Sequence, residues 1–127
     1  MKTLKIALAA AAIALMAVPA VAHHNANAQY DNSKETSVVG TLLEVRDVAP
    51  HAQWRVMTVN PTTKAQTPWQ FEAMGNNALR RLGIMVKTDF RVGQQYTFFY
   101  TPARDGSNTG FITAVTINGK KFQIVKF

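Results

Sequence analysis

The sequence predicts a mainly β fold, a small OB-like barrel of five or six strands with one short helix between strands three and four. Two observations indicate it. Apolar residues alternate with a period of two in successive segments, and a single helical stretch interrupts them after the third segment. In barrels of this kind the helix closes one end, and closure removes the exposed edges of apolar strands. An open β-sandwich has the same strands and is the alternative.

Alternation and turn residues predict the first three strands. Residues 38–48 predict the first strand, with Gly40 as a candidate bulge or bend. Four of its side chains share one face: Val39, Thr41, Leu43 and Val45. Residues 53–59 and 68–74 repeat the alternation after interruptions rich in turn formers. The apolar sides of these two strands are Trp54, Val56 and Thr58 in the first, and Trp69, Phe71 and Ala73 in the second.

Residues 75–83 predict a helix of barely two turns. Two leucines lie three positions apart, between a capping asparagine (Asn76 or Asn77) and a terminating Gly83. So short a helix is not stable alone and is expected to pack against the barrel. A linker with no predicted element of its own follows it.

The second half of the chain predicts two further strands and a hairpin. Residues 96–101 form a strongly aromatic strand, and a loop dense in turn residues connects it to a strand at 111–117. Asn118-Gly119 is a strong hairpin signal, and a last strand follows it. Phe98 is expected in the core with Trp69 and Phe71, because aromatic side chains dominate small cores.

The first 22 residues predict a cleaved export signal. Lys2 and Lys5 give a positive start, residues 6–18 are apolar, and small residues at 20–22 fit a cleavage site that leaves His23 first. The apolar run is shorter than the roughly 20 residues of a membrane-spanning helix, so no integral span is expected after cleavage. We therefore expect a periplasmic or secreted protein with a signal peptide at 1–22, an extended N-terminal arm at 23–36 and an OB-like barrel domain at 37–127.

Charge and cysteine content narrow the possible functions. The chain has no cysteine, so it forms no disulfide and has no thiolate chemistry. Without the two lysines of the leader, the chain has 12 of its 14 basic residues and 7 acidic residues. Its net charge is then +5 with histidine neutral. The basic residues are scattered, which mainly favours solubility, although an anionic ligand fits the charge. Export separates the protein from nucleic acid, so we expect no nucleic-acid partner in vivo, and no protein partner is indicated.

Four short motifs occur in order along the chain: AHH at 22–24, PHA at 50–52, NALRRLG at 77–83 and DGSN at 105–108. Together they resemble a family of small exported bacterial proteins, known mainly as a domain of unknown function. The pattern of that family runs A-H-H, N-P-H-A, G-S-P-N-x-L-x-R-x-G-W and D-G-S-N. The resemblance covers nearly the whole mature chain, and it implies fold and exported location but no reaction.

The chain departs from the family pattern at Ala49, at residues 74–76 and at Ile84, so no role is carried over to those side chains. The matching positions include His23, His24, His51, Asn77, Leu79, Arg80 and Asp105. All three histidines of the chain are among them.

The histidines predict a possible metal site. Cleavage after Ala22 gives His23 a free α-amine beside its imidazole, and these two nitrogens can chelate one ion. His51 follows a proline in a turn and is the candidate third ligand, while His24 ligates instead or supports the others. Three nitrogens in this arrangement suit a copper-type ion; zinc or nickel is the variant interpretation.

Two other interpretations compete with the metal site. In the first, His23 and His24 are solvated residues on a flexible arm, and His51 caps a turn or packs against Trp54. In the second, the barrel is a non-catalytic module that binds an anionic or polymeric ligand on a strand face. The candidate contacts for that ligand are Phe99, Arg80 and Arg104.

An enzyme is the third interpretation, with a copper oxidase-like activity at the same nitrogens, but binding nitrogens alone do not specify a reaction. The seven carboxylates are spread along the chain without an obvious catalytic pair, and the serines lack a nucleophile-elbow setting. Glu72 and Arg80 are expected to form a small structural ion pair. The sequence thus predicts an exported, non-enzymatic binding or accessory protein with copper as its possible cofactor.

Overall fold

The computed structural model describes residues 25–127. This part of the chain contains six strands and three short helices. In chain order they are α1 Asn25–Gln29, β1 Thr36–Val48, β2 His51–Val59, β3 Gln66–Met74, α2 Asn76–Arg81, α3 Val86–Asp89, β4 Gln95–Pro102, β5 Thr109–Ile117 and β6 Lys120–Gln123. No helix within residues 25–127 is long and apolar enough to cross a membrane.

The strands form a closed barrel with one additional strand. Their order is β3-β2-β1-β4-β5-β6, and a further parallel pairing of β3 with β5 joins the two sides of the sheet. That pairing spans only three residue pairs, from Gln70 opposite Thr109 to Glu72 opposite Phe111. Five strands therefore close the barrel, and β6 pairs with β5 alone. The predicted OB-like fold is confirmed, with α2 between β3 and β4 as expected and the single turn of α3 as a second helix there.

The bulge in β1 lies at Leu43, three residues after the predicted position at Gly40. The register with β2 shifts between Leu42 and Glu44, and this shift reverses which side chains face inward. Before the shift, Leu42 is buried and Val39 is 54% exposed, so the predicted shared face of Val39, Thr41, Leu43 and Val45 is wrong. Gly40 faces inward instead, where an added Cβ would collide with the side chain of Val56.

The barrel interior is filled from every strand of the closed sheet. Its fully buried side chains include Leu42, Val56, Phe71, Phe98, Ile112 and Val115. The predicted inner sides of β2 and β3 are confirmed for Trp54, Val56 and Phe71. Leu79 of α2 is fully buried in the same core, which explains why this short helix is stable there. The N-cap residue of α2 is Gly75, so the predicted cap at Asn76 or Asn77 is wrong. Because glycine has no side chain, α2 begins without a side-chain capping bond.

The hairpin between β5 and β6 has the predicted turn. Asn118 and Gly119 both have positive φ angles, 51° and 78°, as a type I′ turn requires. The strand after it runs from Lys120 to Gln123. Backbone N–H groups of Ile124 and Val125 still donate to the carbonyl of Thr113, so the chain follows β5 beyond the strand.

Residues 25–36 differ from the extended arm that the sequence predicts. They begin with the helical turn α1, and Tyr30 behind it is only 3% exposed. Tyr30 packs with Ala103 and Phe111 in a second hydrophobic cluster outside the barrel core. We call these three residues the outer cluster. Its existence explains the order of the segment, because a buried aromatic ring fixes the chain on either side of it.

Candidate functional site

His51 and Glu72 meet on the outer face of the β2–β3 hairpin. His51 is the first residue of β2 and lies opposite Met74, while Glu72 lies opposite Gln53. The two side chains are therefore diagonal neighbours on one face, close enough for long side chains to interact. Nδ1 of His51 contacts Oε1 of Glu72.

The second carboxylate oxygen of Glu72 has a separate partner. Oε2 accepts a hydrogen bond of 2.8 Å from the hydroxyl of Tyr30. One carboxylate thus connects the N-terminal segment to the start of β2. The predicted pair between Glu72 and Arg80 is wrong, because Arg80 donates to the side chain of Asn77 within its own helix.

The carboxylate determines which nitrogen of His51 can act. A proton on Nδ1 that is shared with Glu72 leaves Nε2 with its lone pair, and this is the form of histidine that binds metals. The ring also packs edge-on against Phe111, with 5.3 Å between ring centroids. Both contacts fix the ring, while about a third of the His51 side chain stays exposed to solvent. The His51 ring is therefore held in one orientation while part of the side chain remains exposed.

Tyr30 is held in place by its backbone as well as by its ring. The backbone N–H of Asp31 donates to the carbonyl of Pro102, and that of Arg104 donates to the carbonyl of Gln29, both at 2.9 Å. Burial, followed by the hydrogen bond to Glu72, raises the pKa of the Tyr30 hydroxyl far above its usual range. The hydroxyl therefore remains a proton donor to Glu72 at physiological pH.

A turn rich in side-chain hydrogen bonds follows Tyr30. Asp31 accepts from the Ser33 hydroxyl at 2.6 Å and forms an ion pair with Lys34 at 3.1 Å. These contacts, the Ser33 hydrogen bond first, lower the pKa of Asp31 to about 2. The turn sets the direction in which the chain leaves the site toward β1.

Tyr30, His51 and Glu72 line one pocket with a volume of about 180 Å³. Gln53, Gln70 and Thr109 add amide and hydroxyl groups to its wall. Within residues 25–127, no three His, Cys, Asp or Glu side chains are arranged to hold a metal ion. His51 is the one histidine of residues 25–127.

The structure locates some of the sequence-predicted site residues. His23 and His24 lie outside the described residues. Arg80 is on α2, and Arg104 reaches the backbone carbonyl of Asn27 at 3.5 Å. Phe99 on β4 has the Nζ of Lys121 over its ring at 3.9 Å from the centroid. In the described part of the chain, no hydrogen bond or cation–π contact joins any two of Phe99, Arg80 and Arg104.

Sequence reasoning missed Tyr30 and Glu72 as site residues. The sequence did place the carboxylate of Glu72 on the polar side of a predicted strand, two positions from an apolar residue. That position marked Glu72 as a side chain on the outer face of the sheet. The register of β2 with β3 shows what it faces, and that register depends on the turn that connects them. Tyr30 gave almost no signal, because its segment has no periodic pattern.

Comparison with known proteins agrees with the fold and leaves the chemistry open. A model of a family described as a family of unknown function, DUF6152, matches residues 10–113. No curated protein matches the chain. The crystal structure of the mitochondrial single-stranded DNA binding protein Rim1 from S. cerevisiae is similar, with a TM-score of 0.52 and 9% sequence identity over 67% of this chain and 93% of that chain. At this identity the likeness concerns the fold alone.

Proposed function

Since the chain belongs to DUF6152, a family of unknown function, we propose from its own residues that it is an exported, non-enzymatic accessory protein that binds a copper-type ion. In this proposal the signal peptide is removed after Ala22, and the mature protein works in the periplasm or outside the cell. The ligands are the α-amine and imidazole of His23 and the Nε2 of His51. His24 supports them or replaces one of them.

The observation that carries the proposal is the contact between Nδ1 of His51 and Glu72. Metal-binding histidines commonly give their other ring N–H to a carboxylate, which fixes the tautomer and makes the free nitrogen more basic. Here the carboxylate is itself held by Tyr30. The proposal uses the other ring nitrogen, Nε2, on a side chain that is about a third exposed.

Chain length supports the participation of His23. Tyr30 lines the same pocket as His51, and the helical turn α1 ends directly before it. At about 1.5 Å per helical residue and about 3.5 Å per extended residue, the seven steps from Tyr30 to residue 23 span at most roughly 15 Å along α1 and the two residues before it. In this proposal the chain before α1 folds back over that distance and brings the amine and imidazole of His23 to His51.

The type of ion follows from the ligands. Three nitrogen donors with no carboxylate or thiolate in the set favour copper among the common metals, because imidazole suits copper and a planar nitrogen arrangement is typical of Cu²⁺. Zinc and nickel accept the same nitrogens and are the competing occupants. The amine must be deprotonated to bind, so binding weakens as the pH falls.

The decisive experiment uses protein exported with its own signal sequence. Mass spectrometry establishes whether the chain begins at His23, and Cu²⁺ titration followed by electron paramagnetic resonance reports the number of nitrogen ligands. We expect one tight site per chain and weaker binding in His51→Ala. Glu72→Gln should lose about 10- to 100-fold in affinity, the usual effect of removing an outer partner of a ligand.

Two matched controls separate the site from nonspecific binding. Glu44→Gln removes an exposed carboxylate that pairs with Arg55 on β1 and β2, and it should bind copper as wild type does. A mature chain whose His23 α-amine is acetylated has the same histidines without the free amine, and it should lose the tight site. Equal copper affinity in wild type and His51→Ala would contradict the proposal, and so would a mature chain that does not begin at His23.

A second candidate function has its own observation. Two lysines lie over aromatic rings beside β6, with Lys121 over Phe99 and Lys120 at 5.3 Å from the centroid of Phe122. Basic and aromatic side chains together are typical of surfaces that bind anionic polymers, and the similar structure named above is that of a single-stranded DNA binding protein. In an exported protein, the ligand would be another polyanion.

Binding to immobilised heparin across a salt gradient tests this candidate. A polyanion surface gives a steep loss of binding with salt, which becomes smaller in Lys120→Gln and Lys121→Gln and is unchanged in His51→Ala. Lys87→Gln, on α3 and not on β6, is the control with the same charge change. Retention on heparin that does not depend on Lys120 and Lys121 would rule this candidate out.

A further inference from the structure

The chain between β3 and β4 exposes large apolar side chains. We call this part, residues 75–94 with α2 and α3, the helical connection. Among the described residues seven large apolar side chains are exposed, and three of them belong to the connection: Leu82, Met85 and Val92. Val92 is the most exposed of the seven, at 68%. Neither function proposed above uses these three side chains.

Tight packing of the connection shows that this exposure is not a sign of a loose segment. Three other apolar side chains of the connection are buried in the barrel core: Leu79, Ile84 and Phe90. The backbone N–H of Gly93 also donates to the carbonyl of Leu42 on β1 at 2.8 Å. The connection is therefore fixed on the barrel, and its outer apolar side chains are held at the surface.

Two turns of the connection share one sequence pattern, a basic residue followed by an exposed aliphatic residue and a glycine. They are Arg81-Leu82-Gly83 and Arg91-Val92-Gly93. Both glycines have positive φ angles, 83° and 88°, so the backbone turns directly after each aliphatic residue. Each turn thus has an apolar side chain and a cation next to each other in the sequence at the protein surface.

Two adjoining grooves run along the connection. Their volumes are about 190 and 340 Å³, and both linings include Asn76, Val86 and Lys87. Met85 lines the smaller groove and Val92 the larger one. Met85 and Val92 therefore lie along one continuous surface, and Lys87 is part of both grooves.

The helical connection is strongly basic. Its four positive charges and one negative charge, that of Asp89, give a net charge of +3, and the four basic residues are Arg80, Arg81, Lys87 and Arg91. Asp89 accepts a hydrogen bond from the backbone N–H of Met85 at 2.7 Å. Asp47 of β1, which lines the larger groove, accepts from the backbone N–H of Asn76 at 3.3 Å. Within residues 25–127 none of the four cations is in an ion pair.

Exposed aliphatic side chains beside such cations fit an anionic lipid bilayer. The boundary between headgroups and acyl chains accepts aliphatic side chains, and anionic headgroups attract lysine and arginine. A single-stranded nucleic acid instead stacks its bases on aromatic rings. Phe90 is the aromatic residue of the connection, and it is only 5% exposed. The combination of aliphatic side chains and cations therefore favours lipid over a dissolved polyanion.

We propose that the helical connection docks on an anionic membrane surface. Leu82, Met85 and Val92 enter the boundary between headgroups and acyl chains, while the four cations contact lipid phosphates. No segment of residues 25–127 crosses the bilayer in this arrangement. The docking surface is separate from the metal site, because the pocket of His51 shares no lining residue with either groove.

Flotation of the mature protein with lipid vesicles tests the proposal. We expect binding to an equal mixture of phosphatidylcholine and phosphatidylglycerol, and at least about tenfold weaker binding to phosphatidylcholine alone. Replacing both Met85 and Val92 by serine should weaken binding about tenfold. Arg91→Gln should weaken it about fivefold. Val59→Ser on β2 and Lys120→Gln on β6 are the matched controls and should bind as wild type does.

A fluorophore tests whether the apolar side chains enter the bilayer. The chain has no cysteine, so Val92→Cys carries a single environment-sensitive nitrobenzoxadiazole group. Thr62→Cys is the control, since it lies in the turn at the other end of β3 from α2. On the mixed vesicles, emission should shift to the blue for the label at residue 92 and stay unchanged at residue 62. The same response at both positions would contradict the proposal.

Two further outcomes would overturn membrane docking. Binding that falls in Arg91→Gln but is unchanged in the double serine variant would be adsorption by charge alone. Absence of flotation with the mixed vesicles would leave a protein as the occupant of this surface. Self-association of the wild type that the double serine variant abolishes, measured by analytical ultracentrifugation, would then identify a second copy of this chain.

Discussion

The barrel core and the outer cluster are built from similar aromatic and aliphatic side chains, but they are held by different forces. In the core, residues such as Phe71 and Phe98 are buried among side chains from all five strands of the closed sheet. The outer cluster has three buried residues, and its central side chain also depends on polar contacts. The core maintains the barrel, whereas the outer cluster positions side chains of the candidate site.

The two regions differ in what they require of the sequence. A barrel core needs only apolar residues at every second position and tolerates many combinations of them. The outer cluster needs one tyrosine whose ring and hydroxyl both find partners, Phe111 for the ring and Glu72 for the hydroxyl. We therefore expect substitutions in the core to change stability and substitutions in the outer cluster to change the site.

The largest effect is expected in the core. Phe71→Ala removes a fully buried ring that stacks with Trp69 and Phe98, and it should lower the free energy of unfolding by about 3–5 kcal/mol. Urea denaturation followed by tryptophan fluorescence measures it. Val92→Ala, at an exposed apolar residue, should change the value by less than about 0.5 kcal/mol. A comparable loss in both variants would mean that the core is not tightly packed.

Tyr30→Ala should cost less and act locally. The ring is buried but in a small cluster that can partly collapse, so we expect a loss of about 2–3 kcal/mol. Hydrogen exchange distinguishes local opening around residue 30 from a loss of stability throughout the protein. The amides of Asp31 and Arg104, which bond across the segment, should exchange faster, while those of β2 keep their protection. Faster exchange throughout β2 would show that the two regions unfold as one unit.

Tyr30→Phe isolates the hydroxyl and should lower the free energy of unfolding by about 1 kcal/mol near neutral pH. The pKa of Tyr30 is raised in the folded protein, so its contribution is complete below the unfolded value of about 10 and is lost as the pH rises further. The difference between wild type and Tyr30→Phe should thus shrink above pH 10. Urea denaturation of the metal-free proteins at several pH values checks this, and a difference independent of pH would contradict it.

The smallest effect is expected on the exposed face that neither region buries. Lys121→Met removes a cation from above Phe99 and an ion pair with Glu35, both of them open to solvent. Together these contacts should contribute about 0.5–1 kcal/mol, and less at high salt. Thermal denaturation at low and high salt measures both values. A loss that does not depend on salt would point to packing by the aliphatic part of the lysine.

The sequence predicted most of the core and little of the outer cluster. Strict alternation was sufficient for β2 and β3, where Trp54 and Phe71 face inward as expected. In β1 the same rule failed, because one extra residue between Leu42 and Glu44 reverses the alternation and no local pattern marks it. Gly40 did mark a special position in β1, but a glycine is needed there because Val56 approaches closely and not because the strand bulges.

The candidate site was predictable only in part. His51 was identified from its place after a proline, but its partner depends on the register of β2 with β3, which no residue near His51 specifies. Tyr30 is 42 positions from Glu72 in sequence, and its segment has no periodicity. Contacts of this kind depend on the three-dimensional fold, so they could not be derived from local sequence patterns.

The parallel pairing of β3 with β5, which closes the barrel, lies beside the candidate metal ligand His51. Only three residue pairs join β3 to β5, and the last of them sets Glu72 opposite Phe111. Glu72 and Phe111 are also the residues that hold His51. A metal ion shared by His51 and the mature N-terminus would therefore cross-link the chain beside the β3–β5 pairing, the shortest strand pairing of the barrel. Its binding energy would add to the resistance of that pairing against opening, and heat tolerance would rise with ion concentration.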